Sequence, residues 1–465
     1  MPDMDSNRLP LDDDVLDRIL MLSPSFSALQ SALLSSRSFY RVYLAHPRSI
    51  VRAVADNVAG PGLTSEALKV ASYQTSGDGI AENDDCYAPS HTTDTPDYDT
   101  SASASQGPEA EFDVMTPIAP DTARKLTVNA EVVRKFEDLF SCRHKDKRFE
   151  TSRLTATESY RFRRAIYRIM LYCEIFYTEQ YKKWVSRDPD DLSKVQHARR
   201  NFLARFSTDE LLQIYSASLF LVELIGWTGA ARNLTRISDY STSLAMGPAQ
   251  ILQLVESTFL GSATEYSSGY ILNRMFRGFL SEPISKILER REVEMPNAKE
   301  SSHWRSILDD INGESDLCDQ CHSPVGLNLL GSTNREYIAR GSKVFSPSCL
   351  PFCLKGHLSY SSMDREFLLD RVNNTENLYT KIHDFIFQDG NKLIEFADWK
   401  EDHWLCETCF GQLLKEHLHL WLLEEKRRSG KSVGDDCCHG YNCRMQTYNC
   451  LHAEKLNHLC APTED

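Results

Sequence analysis

The stretch STDELLQIYSASLFLVELIGW (Ser207–Trp227) contains the most apolar segment of the chain and decides its fold class. Ser207 and Glu210 have the spacing of a capping box, which starts a helix. The 17 residues that follow end at Trp227 and include Gln213 and Glu223, so this segment is short and polar for a membrane span. We therefore predict a buried helix inside a mainly α protein.

Helical periodicity extends over residues 124–300, on both sides of this segment. Thr155 and Glu158 form a second capping box, and apolar residues at helical spacing follow from Phe162 to Phe176. No phosphate-cradling glycine loop, nucleophile elbow or His-Glu-x-x-His motif accompanies them. We predict an α-helical domain over residues 124–300 and no catalytic activity.

Composition limits the class of partner and the compartment. The 465 residues carry a net charge of -14, which disfavours broad electrostatic binding to nucleic acid or anionic membrane and favours protein partners. The N-terminal stretch MPDMDSNRLPLDDD lacks a basic region followed by an apolar run, so no secretory signal is predicted. We expect a protein of the nucleus, the cytoplasm or both.

Two segments precede the helical domain. Residues 8–63 contain short amphipathic patterns separated by Pro24, Pro47 and Gly60-Pro61, which predict a small helical module. Residues 70–123 contain no Lys or Arg but eleven Asp or Glu, together with many Ser, Thr and Pro. Such a composition cannot bury enough apolar surface to offset its ordering entropy, so we predict a disordered acidic linker.

The module resembles an F-box. The resemblance rests on Leu9-Pro10 with an acidic first turn, on the pairs Val15-Leu16 and Ile19-Leu20, and on the sequence from Ser36 to Tyr40. F-boxes dock onto the Skp1 adaptor of cullin-based ubiquitin ligases, so the resemblance implies a Skp1-like partner. The residues expected to bind it are Leu9, Pro10, Val15, Leu16, Ile19, Leu20, Leu33 and Phe39. Residues 48–50 and 154–176 look similar to fungal F-box-like proteins.

Eleven of the fourteen cysteines lie at or after Cys318. In a reducing compartment such a cluster is more typical of metal binding than of disulfides. Cys318-x2-Cys321 and Cys406-x2-Cys409 both have the spacing of a zinc knuckle, and we predict that they share one zinc ion. The 84 intervening residues must loop out, which is tolerable because closure entropy rises only with the logarithm of loop length.

The region of the two knuckles, residues 301–430, has two further features. An amphipathic helix is predicted from Gly411 to Arg428, as a treble-clef-like zinc fold requires. The insertion contains Cys349, Cys353 and His357, which either complete a site with one knuckle or are ordinary packing residues. The sequence therefore leaves two or three zinc sites open.

The last segment, residues 431–465, contains DDCCHGYNCRMQTYNCLHAEKLNHLC (Asp435–Cys460). Its spacing predicts a CCHH or CCHC zinc finger, whose ligands are Cys437, Cys443, His452 and either His458 or Cys460. It resembles the poly(ADP-ribose)-binding zinc finger. The resemblance rests on Cys437, Gly440, Asn442, Cys443, Arg444, Gln446, His452, Ala453, Lys455 and the run from Asn457 to Cys460.

This finger departs from that family in two ways. Cys438 and His439 stand where the family has aromatic residues, and one extra residue separates Cys443 from His452. An aromatic face would stack on adenine, and whether Tyr441 substitutes for it is open. We therefore expect the fold of the finger, whereas poly(ADP-ribose) or nucleic acid is a less favoured partner.

These patterns favour one function and leave an alternative. The favoured one is a substrate receptor that recruits a protein client to a Skp1-cullin ubiquitin ligase and performs no chemistry itself. The alternative is a nuclear zinc-finger reader or scaffold that binds poly(ADP-ribose), nucleic acid or a chromatin protein. The order of a RING domain is not present among the cysteine spacings, so direct binding of an E2 enzyme is not expected.

Overall fold

The computed structural model describes residues 11–75, 117–177, 189–231, 240–259, 278–297, 301–342, 344–346 and 349–464. This part of the chain is mainly helical, which confirms that the protein is mainly α. The paired strands among these residues are β1 (Asp435–Asp436) and β2 (Leu456–Asn457), which run parallel.

The α-helices account for most of the described residues. The α-helices are α1 (Asp13–Met21), α2 (Phe26–Ser35), α3 (Arg37–Ala45), α4 (Pro47–Ala59), α5 (Thr64–Thr75), α6 (Pro120–His144), α7 (Ala156–Phe176), α8 (Pro189–Ala204), α9 (Thr208–Ala231), α10 (Tyr240–Ala245), α11 (Pro248–Phe259), α12 (Ser281–Arg290), α13 (Arg335–Gly341), α14 (Ser362–Asn374), α15 (Leu378–Phe387), α16 (Glu407–Arg428) and α17 (Cys450–Lys455). Short 3-10 helices span Ser301–Ser306, Gly326–Asn328, Leu350–Cys353, Gly356–Tyr360, Ile394–Phe396, Gly440–Asn442 and Met445–Thr447.

A small apolar core holds the first four helices together. It consists of Leu16, Leu20, Leu29, Val42, Ile50 and Val54. The side-chain amide of Asn57 on α4 donates to the carbonyls of Met21 and Ser23, 2.8 and 3.0 Å away, which fixes the end of α1 against α4. Residues 13–59 therefore form a compact helical module.

The predicted boundaries around the acidic segment need correction. Residues 70–75, assigned to the disordered linker, complete α5, where Val70 and Ala71 are fully buried. Residues 120–123 likewise begin α6. The apolar face of α5 packs on α6 and α7, and this tertiary burial outweighs the local composition. The rest of the predicted linker, residues 76–116, lies outside the described residues.

The largest apolar core is built around α9, the helix predicted from the most apolar stretch. Both predicted capping boxes form: Thr155 at the start of α7 and Ser207 at the start of α9 exchange hydrogen bonds with Glu158 and Glu210. Of the described helices, α9 is the one long and apolar enough to cross a membrane, by length and composition only. In this structure 67% of that segment is buried against other helices.

A third apolar core covers residues 318–459 and includes residues of both predicted metal-binding regions. Its members come from α13 to α16, from the loops and 3-10 helices between Cys318 and Cys406, and from Leu459 of the C-terminal segment. Conversely Trp304, Ile307 and Leu308 pack in the large helical core, although the predicted boundary placed them after residue 300. The boundaries at 300 and 430 thus do not separate independent apolar cores.

Lys147 links the segment after α6 to the third core. Lys147, which is 1% exposed, places its Nζ 2.5 Å from the Asp316 carboxylate and 5.4 Å from the centre of the Trp404 ring. Its backbone carbonyl accepts a hydrogen bond from the Thr333 hydroxyl. Asp316 lies two residues before Cys318, and Trp404 lies two residues before Cys406. Lys147 therefore contacts both segments that lead into the four-cysteine group.

Candidate metal centres

The two predicted knuckles come together in space. The sulfur atoms of Cys318, Cys321, Cys406 and Cys409 all lie within 4.8 Å of one another, and Cys321 Sγ is 3.6 Å from Cys406 Sγ. Cys318, Cys406 and Cys409 are buried, whereas Cys321 is exposed. Four converging thiols of this kind could hold a metal ion.

Backbone pairing at the base of the insertion positions the two knuckles. Leu330 and Leu405 exchange two backbone hydrogen bonds, of 2.8 and 3.0 Å, which bring the ends of the 84-residue insertion side by side. Asp319 reinforces this contact, since its amide donates to the Trp404 carbonyl and its carboxylate accepts from the Trp404 amide. The insertion therefore leaves and re-enters at adjacent points.

The start of α16 orients the second knuckle. Cys406 is the N-cap of α16, and its sulfur accepts a hydrogen bond from the Cys409 amide at 3.4 Å. The Cys406 amide donates in turn to Cys318 Sγ at 3.2 Å. Amide donors and a helix N-terminus stabilise negative charge on sulfur, as metal-bound thiolates require.

The electrostatics of the four thiols differ with their exposure. A hydrogen bond with the Ser323 hydroxyl, together with its amide, lowers the pKa of Cys321 to about 6. Burial raises the pKa of Cys406, and burial together with the other three sulfurs of the group raises that of Cys409. Without a cation, Cys406 and Cys409 are therefore held as thiols; a bound metal ion would reverse this by stabilising thiolates.

The second predicted ligand set also converges. Cys437, Cys443, His452 and His458 present one ligand atom each, all within 4.8 Å of one another. His452 Nε2 lies 3.3 Å from Cys443 Sγ and 3.8 Å from Cys437 Sγ. His458 Nε2 is buried and has no hydrogen-bond partner, an arrangement that a metal ion would satisfy.

Short elements of the C-terminal segment aim these four side chains. The Asn449 side chain caps α17 by accepting from the His452 amide at 3.1 Å, which fixes the helix turn that carries His452. Pairing of β1 with β2 places the Cys437 amide 2.9 Å from the Asn457 carbonyl, next to His458. The two ends of the segment are thus held together around the ligand group.

The structure distinguishes between the two alternatives for the fourth ligand. His458 belongs to the group, whereas Cys460 does not. The Cys460 thiol donates to the carbonyls of Cys437 and Asn457, at 3.4 and 3.3 Å, so it supports the backbone behind the group.

The insertion cysteines are not brought to either group. Cys349, Cys353 and His357 belong to no metal-ligand cluster found among the described residues. Burial raises the pKa of Cys353 to about 11, so it stays a thiol at neutral pH. His417 and His419 on α16 are likewise outside both groups; they are buried, and His417 accepts a hydrogen bond from the Leu393 amide.

The residues around the second group bear on its expected ligand. Tyr441 packs edge-on against His419 and lies below Lys355, whose Nζ is 5.0 Å from the ring centre. Cys438 and His439 are exposed. Tyr441 is therefore engaged in packing, rather than presented as an open face for a nucleobase.

The predicted partner-binding residues of the first helices fall into four groups, of which Val15 and Ile19 are exposed. Leu9 and Pro10 lie outside the described residues, and Leu33 and Phe39 are half-buried. Leu16 and Leu20 are 1% and 0% exposed, so they form the module's core and cannot contact a partner. This corrects their predicted role: the spacing showed an apolar stripe but not which part of it faced α3 and α4.

The first helices expose further large apolar side chains, of which only Val15 and Ile19 were predicted. Val15, Ile19 and Leu22 share one side of α1 at helical spacing, and Tyr40 and Leu44 are a turn apart on α3. Leu22 and Leu44 are 75% and 60% exposed. We call these five residues, together with Leu11 and Leu34, the module face. The first helices contain more leucines than a small core can bury, and this excess could have predicted the exposed ones.

Comparison with known proteins defines no class beyond these features. No protein-family model matches the chain, no curated protein is similar to it, and no solved structure shares its fold at a significant level. The chain is a mainly helical protein in which two groups of four cysteine and histidine side chains could hold metal ions.

Proposed function

We propose that this protein is a substrate receptor that uses its first three helices to join a Skp1-cullin ubiquitin ligase. The observation that carries the proposal is the module face, which leaves seven large apolar side chains exposed around a core that is already closed. Large apolar side chains that a small folded module leaves exposed in this number favour a protein interaction site. The F-box resemblance of the same residues supplies the identity of the adaptor.

The geometry of the module suits docking as a preformed unit. Arg41 on α3 is 2.5 Å from Asp13 on α1, so the two helices that carry most of the module face are linked at the surface. The module also continues into the large helical core through Ala55 and Ala59 of α4. Its orientation relative to the rest of the chain is thereby fixed, as a receptor that presents a client to an E2 enzyme requires.

We propose further that both metal groups bind zinc in a structural role. Thiolate and imidazole donors without carboxylates favour zinc over magnesium or calcium. Each group supplies four protein ligands, which fill a tetrahedral site and leave no position for a reacting water. The zinc ions would hold the third core together, and the mechanism of the protein would be proximity alone.

Adaptor binding is tested with the full chain. We expect a Skp1-like adaptor to co-purify with the wild-type protein and to be lost when Leu22→Asp and Leu44→Asp are combined, because charge cannot be buried at an apolar interface. The matched control is Val128→Asp on α6, which is 55% exposed but distant in sequence from the module. Failure of the wild-type chain to recover the adaptor would contradict the proposal.

Salt dependence distinguishes the receptor from a nuclear reader. Docking through the module face should change only a few-fold with NaCl, because the contacts are apolar. A reader would instead bind a polyanion with steep salt sensitivity, and Cys443→Ala would abolish that binding. The packing of Tyr441 against His419 and Lys355 favours the receptor.

Zinc occupancy is tested by metal analysis of the purified chain after dialysis. We expect two zinc ions per chain, falling to one in Cys406→Ser, which removes a sulfur ligand while leaving a hydroxyl that can still cap α16. The control is Cys450→Ser, an exposed cysteine outside both groups, which should retain two. Full occupancy in Cys406→Ser would contradict the four-cysteine site.

A further inference from the structure

A third group of possible ligands lies on the surface of the C-terminal segment. The side chains of Cys438, His439 and Glu464 converge, with their donor atoms all within 4.8 Å of one another. All three residues are exposed, and none belongs to the two buried groups. Their side chains are therefore accessible to an ion in solution.

The backbone, rather than the three side chains, holds this group together. The Cys438 carbonyl accepts hydrogen bonds from the amides of Thr463 and Glu464, at 2.8 and 3.1 Å, and from the Thr463 hydroxyl at 3.3 Å. These bonds fix residues 463–464 beside Cys438. The carboxylate is thus brought to the thiol by main-chain contacts that do not depend on a metal ion.

A glycine permits this close approach. Gly440 has a φ of +43°, and a Cβ atom at this position would lie 2.3 Å from the Cys460 carbonyl oxygen and 2.8 Å from Pro462 N. Only glycine leaves room for residues 460–462 to pass over this turn. The path of the tail back to Cys438 is therefore part of the folded finger.

We propose that Cys438, His439 and Glu464 form a third metal site, which binds Zn²⁺ weakly and exchangeably. A thiolate, an imidazole and a carboxylate are each accepted by zinc, and three protein donors leave one position for water. Exposure of all three donors makes the ion easy to reach and to remove, in contrast to the two groups of four ligands. The proposal is independent of the receptor function.

The test is a titration of the full-length chain with ZnCl2 in competition with a chromophoric zinc chelator. We expect one weaker equivalent beyond the ions retained after dialysis. The combined variant Cys438→Ser with His439→Asn should lose this equivalent, and Glu464→Gln should weaken it at least about tenfold, since outer-shell changes alone have effects of that size. Co²⁺ at the weak site should show thiolate-to-metal absorption that disappears with Cys438.

Two matched controls sharpen the result. Cys450→Ser and Glu454→Gln remove an exposed thiol and an exposed carboxylate from the same segment and should leave the weak equivalent unchanged. The proposal is overturned if the wild-type chain binds no weaker equivalent, if the ligand variants retain it, or if the controls lose it equally. Should the combined variant also lose tightly bound ions, Glu464→Gln decides alone, because Glu464 belongs to neither buried group.

Discussion

At the scale of single residues, the most demanding environment is that of Glu158, which is 0% exposed. Lys145 Nζ lies 2.9 Å from its carboxylate and 2.6 Å from that of Asp310. Burial raises the pKa of Glu158, but hydrogen bonds from Lys145 and from the backbone amides of Thr155 and Asp309 outweigh it, and the net pKa is lowered. The carboxylate is therefore ionised and fully paired at neutral pH.

Replacing this carboxylate should be costly. Glu158→Gln leaves Lys145 buried with only the exposed Asp310 carboxylate as counter-ion, and we expect a loss of about 3 kcal/mol in the free energy of unfolding, as for other broken buried pairs. Urea denaturation provides the measurement. Glu289→Gln, which breaks a solvent-screened pair with Lys286, is the control and should leave the free energy of unfolding nearly unchanged. Equal losses in the two variants would refute this reading.

A buried histidine makes stability depend on pH. Burial lowers the pKa of His144 to about 4, against the opposing hydrogen bond and charge of Glu223. The unfolded chain, with a histidine pKa of about 6.5, takes up a proton between about pH 6.5 and 4 that the folded chain does not. Stability should therefore fall as the pH is lowered through this window, by up to about 1.4 kcal/mol per pH unit.

The variant His144→Gln isolates this contribution. Glutamine retains a donor for Glu223 but does not titrate, so the decline in unfolding free energy between pH 6.5 and 4 should be shallower than in the wild-type chain. Urea unfolding at several pH values measures the slope, and exposed His46→Gln serves as the control. An unchanged slope would show that another group governs the acid response.

The grouping of the cysteine ligands was predictable from the local spacing of the cysteines in the sequence. Cys318, Cys406 and Cys437 stand in patterns that only a few structures use, and the structure brings each to its expected group. The division of the first helix into buried Leu16 and exposed Val15 was not predictable in the same way. It depends on where α3 and α4 pack, and those contacts are not local in sequence.

At the scale of elements, the contact between the insertion and the C-terminal segment is made by two 3-10 helices. Gly356 begins one of them with a φ of +56°, and a Cβ there would lie 2.5 Å from the Tyr441 carbonyl oxygen of the other. The contact was not predictable, because 83 residues lie between Gly356 and Gly440 and no local sequence pattern links them. By contrast, the helix after the second knuckle was predictable from its periodicity, although α16 begins at Glu407 rather than Gly411.

A pair of glycine variants measures this contact. Gly356→Ala combines backbone strain with a clash against Tyr441, whereas Gly390→Ala, at a φ of +86°, meets no atom within 4 Å and supplies strain alone. We expect Gly390→Ala to cost about 1 kcal/mol and Gly356→Ala clearly more. Amide hydrogen exchange of residues 435–460 should rise only in Gly356→Ala. The same exchange in both variants would mean that the turn contact does not hold the finger in place.

At the scale of the whole molecule, the metal groups and the largest core belong to different parts of the chain. The core around α9 is formed by residues 55–308, and none of the candidate ligand groups among the described residues lies within it. Both buried groups contribute to or border the core of residues 318–459. The sequence did not predict the boundaries of these cores correctly. Segments at their edges, such as α5, pack into a neighbouring core through contacts that are distant in sequence.

Chelation should therefore affect the two parts unequally. Metal-binding free energy is folding free energy for elements that the ion holds together. With excess EDTA, we expect amide protection to be lost across residues 318–459 and retained in α7 and α9. Hydrogen exchange followed by mass spectrometry reads both regions at once, and Cys450→Ser without chelator should match the wild-type chain. A uniform loss, or none, would contradict this division.

The long insertion that the pairing of Leu330 with Leu405 closes has a consequence for synthesis on the ribosome. At about 5–20 residues per second, the 84 residues after Cys321 take about 4–17 s to emerge before Cys406 appears. During this interval the nascent chain contains only two of the four thiols of the group, Cys318 and Cys321. The residues of the large helical core have already been synthesised. The last group, spanning residues 437–458, gathers its four ligands within about 1–4 s. Of the two groups, the four-cysteine group therefore waits longer for its last ligands. During that time the thiols of Cys318 and Cys321 can be oxidised or can bind another metal ion.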